Sequence, residues 1–335
     1  MCKTTDLYRS AASTLEGHSD RVWHVCWDSA GATLASCGGD RTVRLWKEDQ
    51  SGGKGGSSDD GSSGAPQESG GGAEGFTCVD TLDGAHSKTI RRCAFSNCDT
   101  MIASVSFDAT TCIWDRKVQR NGGDESSQEW ELLVTLEGHE SEIKDVCWSP
   151  DGELLATCGR DKSIWIWLQE IDEEFECLDV LQGHTQDVKA ITWIPASRAL
   201  VSASYDNTIK VWNEVSDEWI CTQTLDSSYQ GHEDTVWGLC CDPVGNKVLS
   251  CDGSGMILLW AVAREQEGQA ALELVSRNQA PGGAAIFSVD WSASGLIALG
   301  AADNSVSLLQ LEKTPSRGDG FDNFDGGEGE EGAEE

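Results

Sequence analysis

Residues 136–167 read LEGHESEIKDVCWSPDGELLATCGRDKSIWIW, and within this stretch His139 is followed 22 positions later by Asp161 and 6 beyond that by Trp167. Upstream the same spacing returns as His18, Asp40, Trp46 and as His86, Asp108, Trp114; downstream it returns as His184, Asp206, Trp212. A fifth copy, His232 and Trp260, keeps the interval with Ser254 at the acid position. The period survives connecting segments of very different length, so it marks one structural unit used repeatedly. Between the anchors the chain alternates or runs apolar, as in Val22 to Trp27, Leu34 to Cys37 and Val43 to Trp46, bounded by turn clusters such as Gly38-Gly39-Asp40. That patterning predicts short strands joined by tight turns.

A Gly-His start, a tryptophan finish and steps of about 40 to 50 residues are the signature of WD40 blades, so the chain reads as an all-β propeller. Each four-stranded blade must tie its outer strands to its inner ones, and a buried polar network does this only if every member is bonded. In the first copy His18 enters the innermost strand, Ser36 supplies a second-strand hydroxyl, Asp40 is the hairpin acid and Trp46 ends the third strand. The same roles fall to His86, Ser104, Asp108, Trp114; to His139, Thr157, Asp161, Trp167; and to His184, Ser202, Asp206, Trp212, while copy five retains His232, Ser250 and Trp260. A sixth, degraded copy lies at Ile286 to Leu309, where Asp290-Trp291-Ser292 and Ala302-Asp303-Asn304 stand in register without the histidine or closing tryptophan. Six repeats are countable, and propellers close with typically four to eight blades. Asp6 to Leu15 reads as an outer strand able to complete the last blade, which leaves closure at six and an incomplete seventh blade as the two endings open to this chain.

The expected organisation is a propeller over residues 6–311, a flexible Gly/Ser-rich insertion over 48–75, and a disordered acidic tail over 312–335. No stretch approaches 18 apolar residues and Met1-Cys2-Lys3-Thr4 has no apolar signal core, so neither membrane insertion nor secretion is expected. Net charge is −33; the insertion carries −5 and the tail −7, leaving −21 on the propeller. A body so acidic repels phosphate, which weighs against nucleic acid or anionic lipid as ligand and favours basic or polar protein partners.

Fourteen cysteines are present, yet no Cys-x-x-Cys pair occurs, and a large repeat domain has a core without disulfides. Cys26, Cys147 and Cys240 share an inner-strand register, and Cys37, Cys158 and Cys251 share the register three before the turn position; Cys2 and Cys241 are least determined. Repetition at strand positions reads as core packing, with no metal and no cofactor expected. Of six histidines only His24 is not committed to a blade network, so a nucleophile-base pair would have to be built almost without histidine. Asp40, Asp108, Asp161 and Asp206 belong to different blades and are not paired catalytic carboxylates; a catalytic role is not expected.

Recognition remains. Four residues before the inner-strand aromatic position stand Trp23, Arg91, Lys144, Lys189, Trp237 and Phe287, one per blade and all basic or aromatic. The residue before the turn acid points to the same end, with Phe107, Arg160 and Tyr205 among the smaller Gly39, Gly253 and Ala302. One reading makes these solvated or stacking positions that long side chains cover in any propeller. The other makes them a peptide-binding or subunit-binding rim, since aromatics interleaved with bases are interface anchors. On that reading Arg160 with Lys144 or Lys189 suits a carboxylate, a chain terminus included, and the aromatics suit an apolar side chain.

Several strings go beyond generic blade grammar, above all Phe107-Asp-Ala-Thr-Thr-Cys-Ile-Trp114, Arg160-Asp-Lys-Ser-Ile-Trp-Ile-Trp167 and Ala203-Ser-Tyr-Asp-Asn-Thr-Ile-Lys-Val-Trp212. They resemble the WD40 protein of cytosolic iron-sulfur protein assembly, the propeller subunit of its targeting complex. The resemblance covers roughly residues 15–260 and weakens to 311. It implies a non-catalytic scaffold that promotes insertion of iron-sulfur clusters into cytosolic and nuclear apoproteins. The implied partners are a small targeting subunit, a large helical-repeat adaptor, a hydrogenase-like iron-sulfur protein and the client apoproteins. It also implies a cytoplasmic location with the nucleus left open as a second one, places Arg160 at the family's exposed functional arginine, and expects no iron ligand in the propeller. Family members look seven-bladed, whereas here a weakened sixth repeat runs into the acidic tail, and the 48–75 insertion is unusual. The alternatives are an adaptor of another complex, such as a ubiquitin-ligase substrate receptor or a chromatin-associated subunit, and, more distantly, a propeller enzyme.

Overall fold

A computed structural model of the chain describes residues 14–48, 75–118, 128–170, 174–195, 197–264 and 269–311. They form six antiparallel sheets. The first holds β1 (Val22–Trp27), β2 (Thr33–Gly38), β3 (Val43–Glu48) and β4 (Phe76–Leu82); the second β5 (Ile90–Phe95), β6 (Met101–Ser106), β7 (Thr110–Val118) and β8 (Gln128–Glu137). The third holds β9 (Ile143–Trp148), β10 (Leu154–Gly159), β11 (Ser163–Gln169) and β12 (Phe175–Gln182), and the fourth β13 (Val188–Trp193), β14 (Leu200–Ser204), β15 (Ile209–Val215) and β16 (Glu218–Leu225). The fifth holds β17 (Val236–Cys241), β18 (Lys247–Asp252), β19 (Met256–Arg264) and β20 (Ala270–Gln279), and the sixth only β21 (Ile286–Trp291), β22 (Leu296–Ala301) and β23 (Val306–Gln310). The first strands pack in sequence, β1 on β5, β5 on β9, β9 on β13, β13 on β17 and β17 on β21, so the architecture is a six-bladed WD40-type propeller with the first strand of each blade innermost.

Five apolar clusters hold the blades together, each at one junction: Ala35, Leu45 and Ile102 between blades one and two; Ala103, Val146 and Leu155 between two and three; Ile166, Ile191 and Leu200 between three and four; Val201, Leu239 and Leu258 between four and five; Leu249, Val289 and Leu299 between five and six. Second strands such as β6 and β10 are buried along their whole length, which is why they carry no charge. A sixth cluster would be needed where blade six meets blade one, and the described residues show the opposite. Val25 is 54% exposed, although the matching residues of the next blades, Val146, Ile191, Leu239 and Val289, are at most 8% exposed. Across the same junction Val306 is 68% exposed where its counterpart Ile257 is 4%. The described blades therefore form an arc whose two end faces are uncovered.

Within blades one to four the histidine links the hairpin acid to the second strand. Its Nδ1 stands 2.8 Å from Asp40, 3.3 Å from Asp108, 2.7 Å from Asp161 and 2.9 Å from Asp206. Its Nε2 stands 2.7 to 3.0 Å from Ser36, Ser104, Thr157 and Ser202. Trp46, Trp114, Trp167 and Trp212 donate their indole N–H to the same hydroxyls at 2.7 to 3.0 Å. A carboxylate only accepts, so Nδ1 carries a proton toward the acid, and an imidazole with no second proton takes the hydroxyl proton at Nε2. Burial lowers the His86 pKa, but Asp108 and Cys112 outweigh it and raise it to about 9, so that ring also holds a proton on Nε2. With the neutral ring the relay runs in one direction from tryptophan to acid, and in blade two the Ser104 hydroxyl instead donates to the Cys112 carbonyl at 3.4 Å, so no polar atom in either arrangement is left unpaired.

Blade five corrects one expectation. Ser254 does not stand in for the acid: His232 Nδ1 lies 2.7 Å from Asp252, two residues earlier, and the Ser254 hydroxyl donates to that carboxylate at 2.7 Å. In blade four the same two positions hold Ser204 and Asp206, so acid and hydroxyl have exchanged places while Ser250 and Trp260 keep theirs at 2.7 and 2.8 Å. The residue after the turn position is left-handed in every blade: Arg41, Ala109, Lys162, Asn207, Gly255 and Asn304 have φ between 65° and 82°. At Arg41, Ala109 and Lys162 a Cβ makes that conformation costly, and the acid's bonds to the following backbone, such as Asp161 to the Ser163 N–H at 3.1 Å, hold it.

The cysteines divide. Cys37, Cys93, Cys112, Cys158, Cys240 and Cys251 are buried, but Cys78, Cys98, Cys177 and Cys221 are exposed, which corrects a uniform reading as core. Cys78, Cys177 and Cys221 lie opposite Trp46, Trp167 and Trp212 on outermost strands, where one face meets water. The insertion, apart from Glu48 and Gly75 at its ends, the tail, and the outer strand expected over Asp6 to Leu15 up to residue 13 lie outside the described residues; Thr14 and Leu15 are not in a strand.

Candidate partner-docking face

The six inner-strand residues occupy one kind of backbone position. In β1, Val22 pairs with Gly38 and His24 with Cys37, which leaves Trp23 between them without a partner. Arg91, Lys144, Lys189, Trp237 and Phe287 are skipped in the same way in β5, β9, β13, β17 and β21. Each is the extra residue of a β-bulge, which bends the strand and re-aims a side chain out of the alternation. A blade of four strands returns the chain to the end from which it set out, so the six bulges stand around one mouth of the propeller.

Side-chain contacts join them into three groups around this mouth. The Arg91 guanidinium lies 5.3 Å from the Trp23 ring centre, and Lys144 Nζ lies 4.2 Å from that of Phe107 on the preceding blade. Lys189 Nζ is 4.1 Å from the Tyr205 ring and 5.4 Å from Trp237. Trp237 then packs edge to face against Tyr205 and Phe287, both at 5.2 Å. The residues before the turn position are pinned by backbone bonds to the entry of the innermost strand, Phe107 to Thr89, Arg160 to Glu142 and Tyr205 to Asp187, at 2.9 to 3.0 Å. Trp23, Tyr205 and Phe287 remain exposed beside these cations.

Two acids that sequence reasoning missed shape the charge. Glu142 accepts from Arg160 Nη1 on both oxygens at 3.0 and 3.1 Å, and Asp187 pairs with Lys189 at 3.0 Å. Each immediately precedes its blade's innermost strand and lies two residues before a rim lysine, a spacing visible in the sequence once the bulge is known. Arg91 has no such neighbour at Thr89. Burial, then the positive charge of Lys189, hold the Lys144 ammonium below its ordinary range; burial and Arg92 do the same to Arg91. Glu142 and Asp187 act in the opposite sense on Lys144, so the like charges are partly offset within the mouth. Behind it, half-buried Arg92 donates through Nε to buried Asp145 at 2.7 Å, and Asp145, which also accepts from the Ile191 N–H, locks blades two, three and four.

The family model for the WD domain, G-beta repeat, matches residues 9–47, 76–115, 130–167, 175–213 and 220–261. A probable cytosolic iron-sulfur protein assembly protein 1 of Kluyveromyces lactis is 47% identical over 240 residues, covering 70% of this chain and 71% of that protein. Its counterpart in Vanderwaltozyma polyspora is 39% identical over 312 residues, covering 89% and 84%. This chain belongs to the WD40 family of cytosolic iron-sulfur protein assembly proteins. A probable cytosolic Fe-S cluster assembly factor of Schizosaccharomyces pombe is 36% identical over 322 residues, and there the chain spans 90% of itself but 46% of the longer relative. Within the family frame, blade six lies past the last matched repeat, consistent with its lack of a relay histidine and with its three strands among the described residues. Among the described residues no helix is long and apolar enough to cross a membrane.

Proposed function

We propose that this protein is a non-catalytic scaffold of cytosolic iron-sulfur protein assembly, and that the bulge-lined mouth is where it docks its protein partners. The relatives' names support the process; the observation that carries the docking role is the concentration of cations and exposed aromatics around one mouth of a chain that is otherwise strongly acidic. Lys144, Lys189, Arg91 and Arg160 receive acidic side chains or a terminal carboxylate, and Trp23, Phe107, Tyr205, Trp237 and Phe287 receive the apolar groups beside them. The partners are the small targeting subunit, the large helical-repeat adaptor, the hydrogenase-like iron-sulfur protein and apoprotein clients of cytosol and nucleus; neither nucleic acid nor membrane is a ligand.

Affinity purification tests this directly. Wild-type protein should bring down cluster-assembly subunits and apo-iron-sulfur enzymes, and Arg160→Glu should lose them. Recovery of ubiquitin-ligase or histone complexes in their place would overturn the assignment in favour of a different WD40 adaptor.

A further inference from the structure

The one histidine outside the blade relays meets Cys93, an inner-strand cysteine out of register with Cys26, Cys147 and Cys240. His24 and Cys26 alternate on β1, so both face blade two, and Cys93 on β5 faces back toward them. At the register of Cys93 the other blades carry Val25, Val146, Ile191, Leu239 and Val289, so a thiol there is the exception and aliphatic packing the rule. Cys26 Sγ lies 3.8 Å from Cys93 Sγ, Cys93 Sγ lies 3.9 Å from His24 Nδ1, and the three ligand atoms all lie within 4.8 Å of one another.

We propose that His24, Cys26 and Cys93 form a binding site for one thiophilic divalent metal ion of the zinc class, between blades one and two. Tetrahedral zinc, with metal–sulfur distances of about 2.3 Å and metal–nitrogen of about 2.0 Å, sets its ligands about 3.8 Å (S to S) and about 3.6 Å (S to N) apart. The Cys26–Cys93 separation of 3.8 Å matches the first and is far too long for a disulfide, the Cys93–His24 separation of 3.9 Å is close to the second, and His24 and Cys26 lie within 4.8 Å. Binding releases two thiol protons to solvent, and the two thiolates neutralise the dication. The neighbouring Arg92 does not oppose it with a free charge, because Asp145 holds that guanidinium at 2.7 Å. His24 and Cys26 are half-buried, giving an ion a path inward, while Cys93 is buried. Three protein ligands leave a fourth position for water or an incoming donor.

The test uses the full chain, reduced, chelator-stripped and kept anaerobic, titrated with cobalt(II) and then zinc(II). One equivalent of cobalt should give the visible bands of a thiolate-ligated tetrahedral ion, zinc should displace it, and zinc should raise the melting temperature. Cys93→Val installs the side chain of the other blades, and Cys26→Ala matches Ala94 of blade two; each should weaken zinc binding at least tenfold. Cys98→Ser, an exposed thiol, should leave it unchanged. If either core variant fails to fold, alkylation mapping of the wild type decides, with zinc protecting Cys26 and Cys93 selectively. Absence of a thiolate spectrum, retention of binding in the folded core variants, loss with Cys98→Ser, or protection confined to exposed cysteines would each overturn the site.

Discussion

Replacing His139 by alanine removes the centre of the blade-three relay. Two bonds go, the one to Asp161 at 2.7 Å and the one to Thr157 at 3.0 Å, together with the packing of the imidazole against Trp165 at 5.5 Å. The bond to the carboxylate is worth about 2 kcal/mol, the neutral one about 1 kcal/mol. Neither partner is fully orphaned: Asp161 keeps the Glu140 and Ser163 N–H groups and the Ser163 hydroxyl, and Thr157 keeps Trp167. The loss should therefore stay near the sum of the bonds, about 3 kcal/mol. With an unfolding entropy of about 2 cal/mol/K per residue over about 250 ordered residues, that lowers the melting temperature by about 6 °C. Scanning calorimetry of His139→Ala, Asp161→Ala and the double variant reads both the drop and the coupling, which should be about 1.5 to 2 kcal/mol. A drop under about 2 °C together with coupling near zero would show that the imidazole is not a fastener, and the reading of every blade would fall with it.

Arg160→Glu should do the reverse, abolishing partner capture in pull-downs. Its melting temperature should shift by less than about 2 °C, because the exposed Arg160–Glu142 pair contributes under about 1 kcal/mol; an equal loss of folding would refute the docking role. Val25→Thr should cost less than about 0.5 kcal/mol, while Val146→Thr, which buries a hydroxyl in the same register, should cost about 1 to 2 kcal/mol; equal costs by chemical denaturation would mean that blade one's outer face is covered after all. Burial would raise the pKa of Asp161, but His139 and Ser163 bring it from 3.8 down to about 2. A depressed carboxylate stabilises the fold fully above pH 3.8 and loses that contribution as pH falls toward 2. Acid titration by circular dichroism should then show Asp161→Asn with a shallower stability loss across that window, and an unchanged slope would contradict the pairing.

The blade count, the strand order and the relay partners are legible because the relay demands fixed residue types at fixed intervals, whatever the loops between them do. Blade five shows where that legibility ends. Interval alone selects Ser254, and only the hydrogen-bond geometry reveals that Asp252 reaches the same imidazole from two residues away. The rim residues could be picked out as a register, but not the bulges that turn them toward the mouth, because a bulge alters pairing without leaving a mark in residue type. Glu142 and Asp187 were hidden by the same blindness. Cysteine repetition in β1 and β9 concealed that Cys93 sits on the other face of its strand, so the convergence on His24 depends on tertiary structure alone. The exposure of the end faces of the described blades was likewise beyond reach, since Val25 is as apolar as its buried counterparts and only its exposure distinguishes it.

The bulges carry one more implication. A residue outside the ladder can be exchanged without disturbing the hydrogen bonds on either side, so Trp23, Arg91, Lys144, Lys189, Trp237 and Phe287 behave like interchangeable teeth on a permanent gear. Selection or a designer can retune what this wheel grips one tooth at a time, leaving the hub to fold as before.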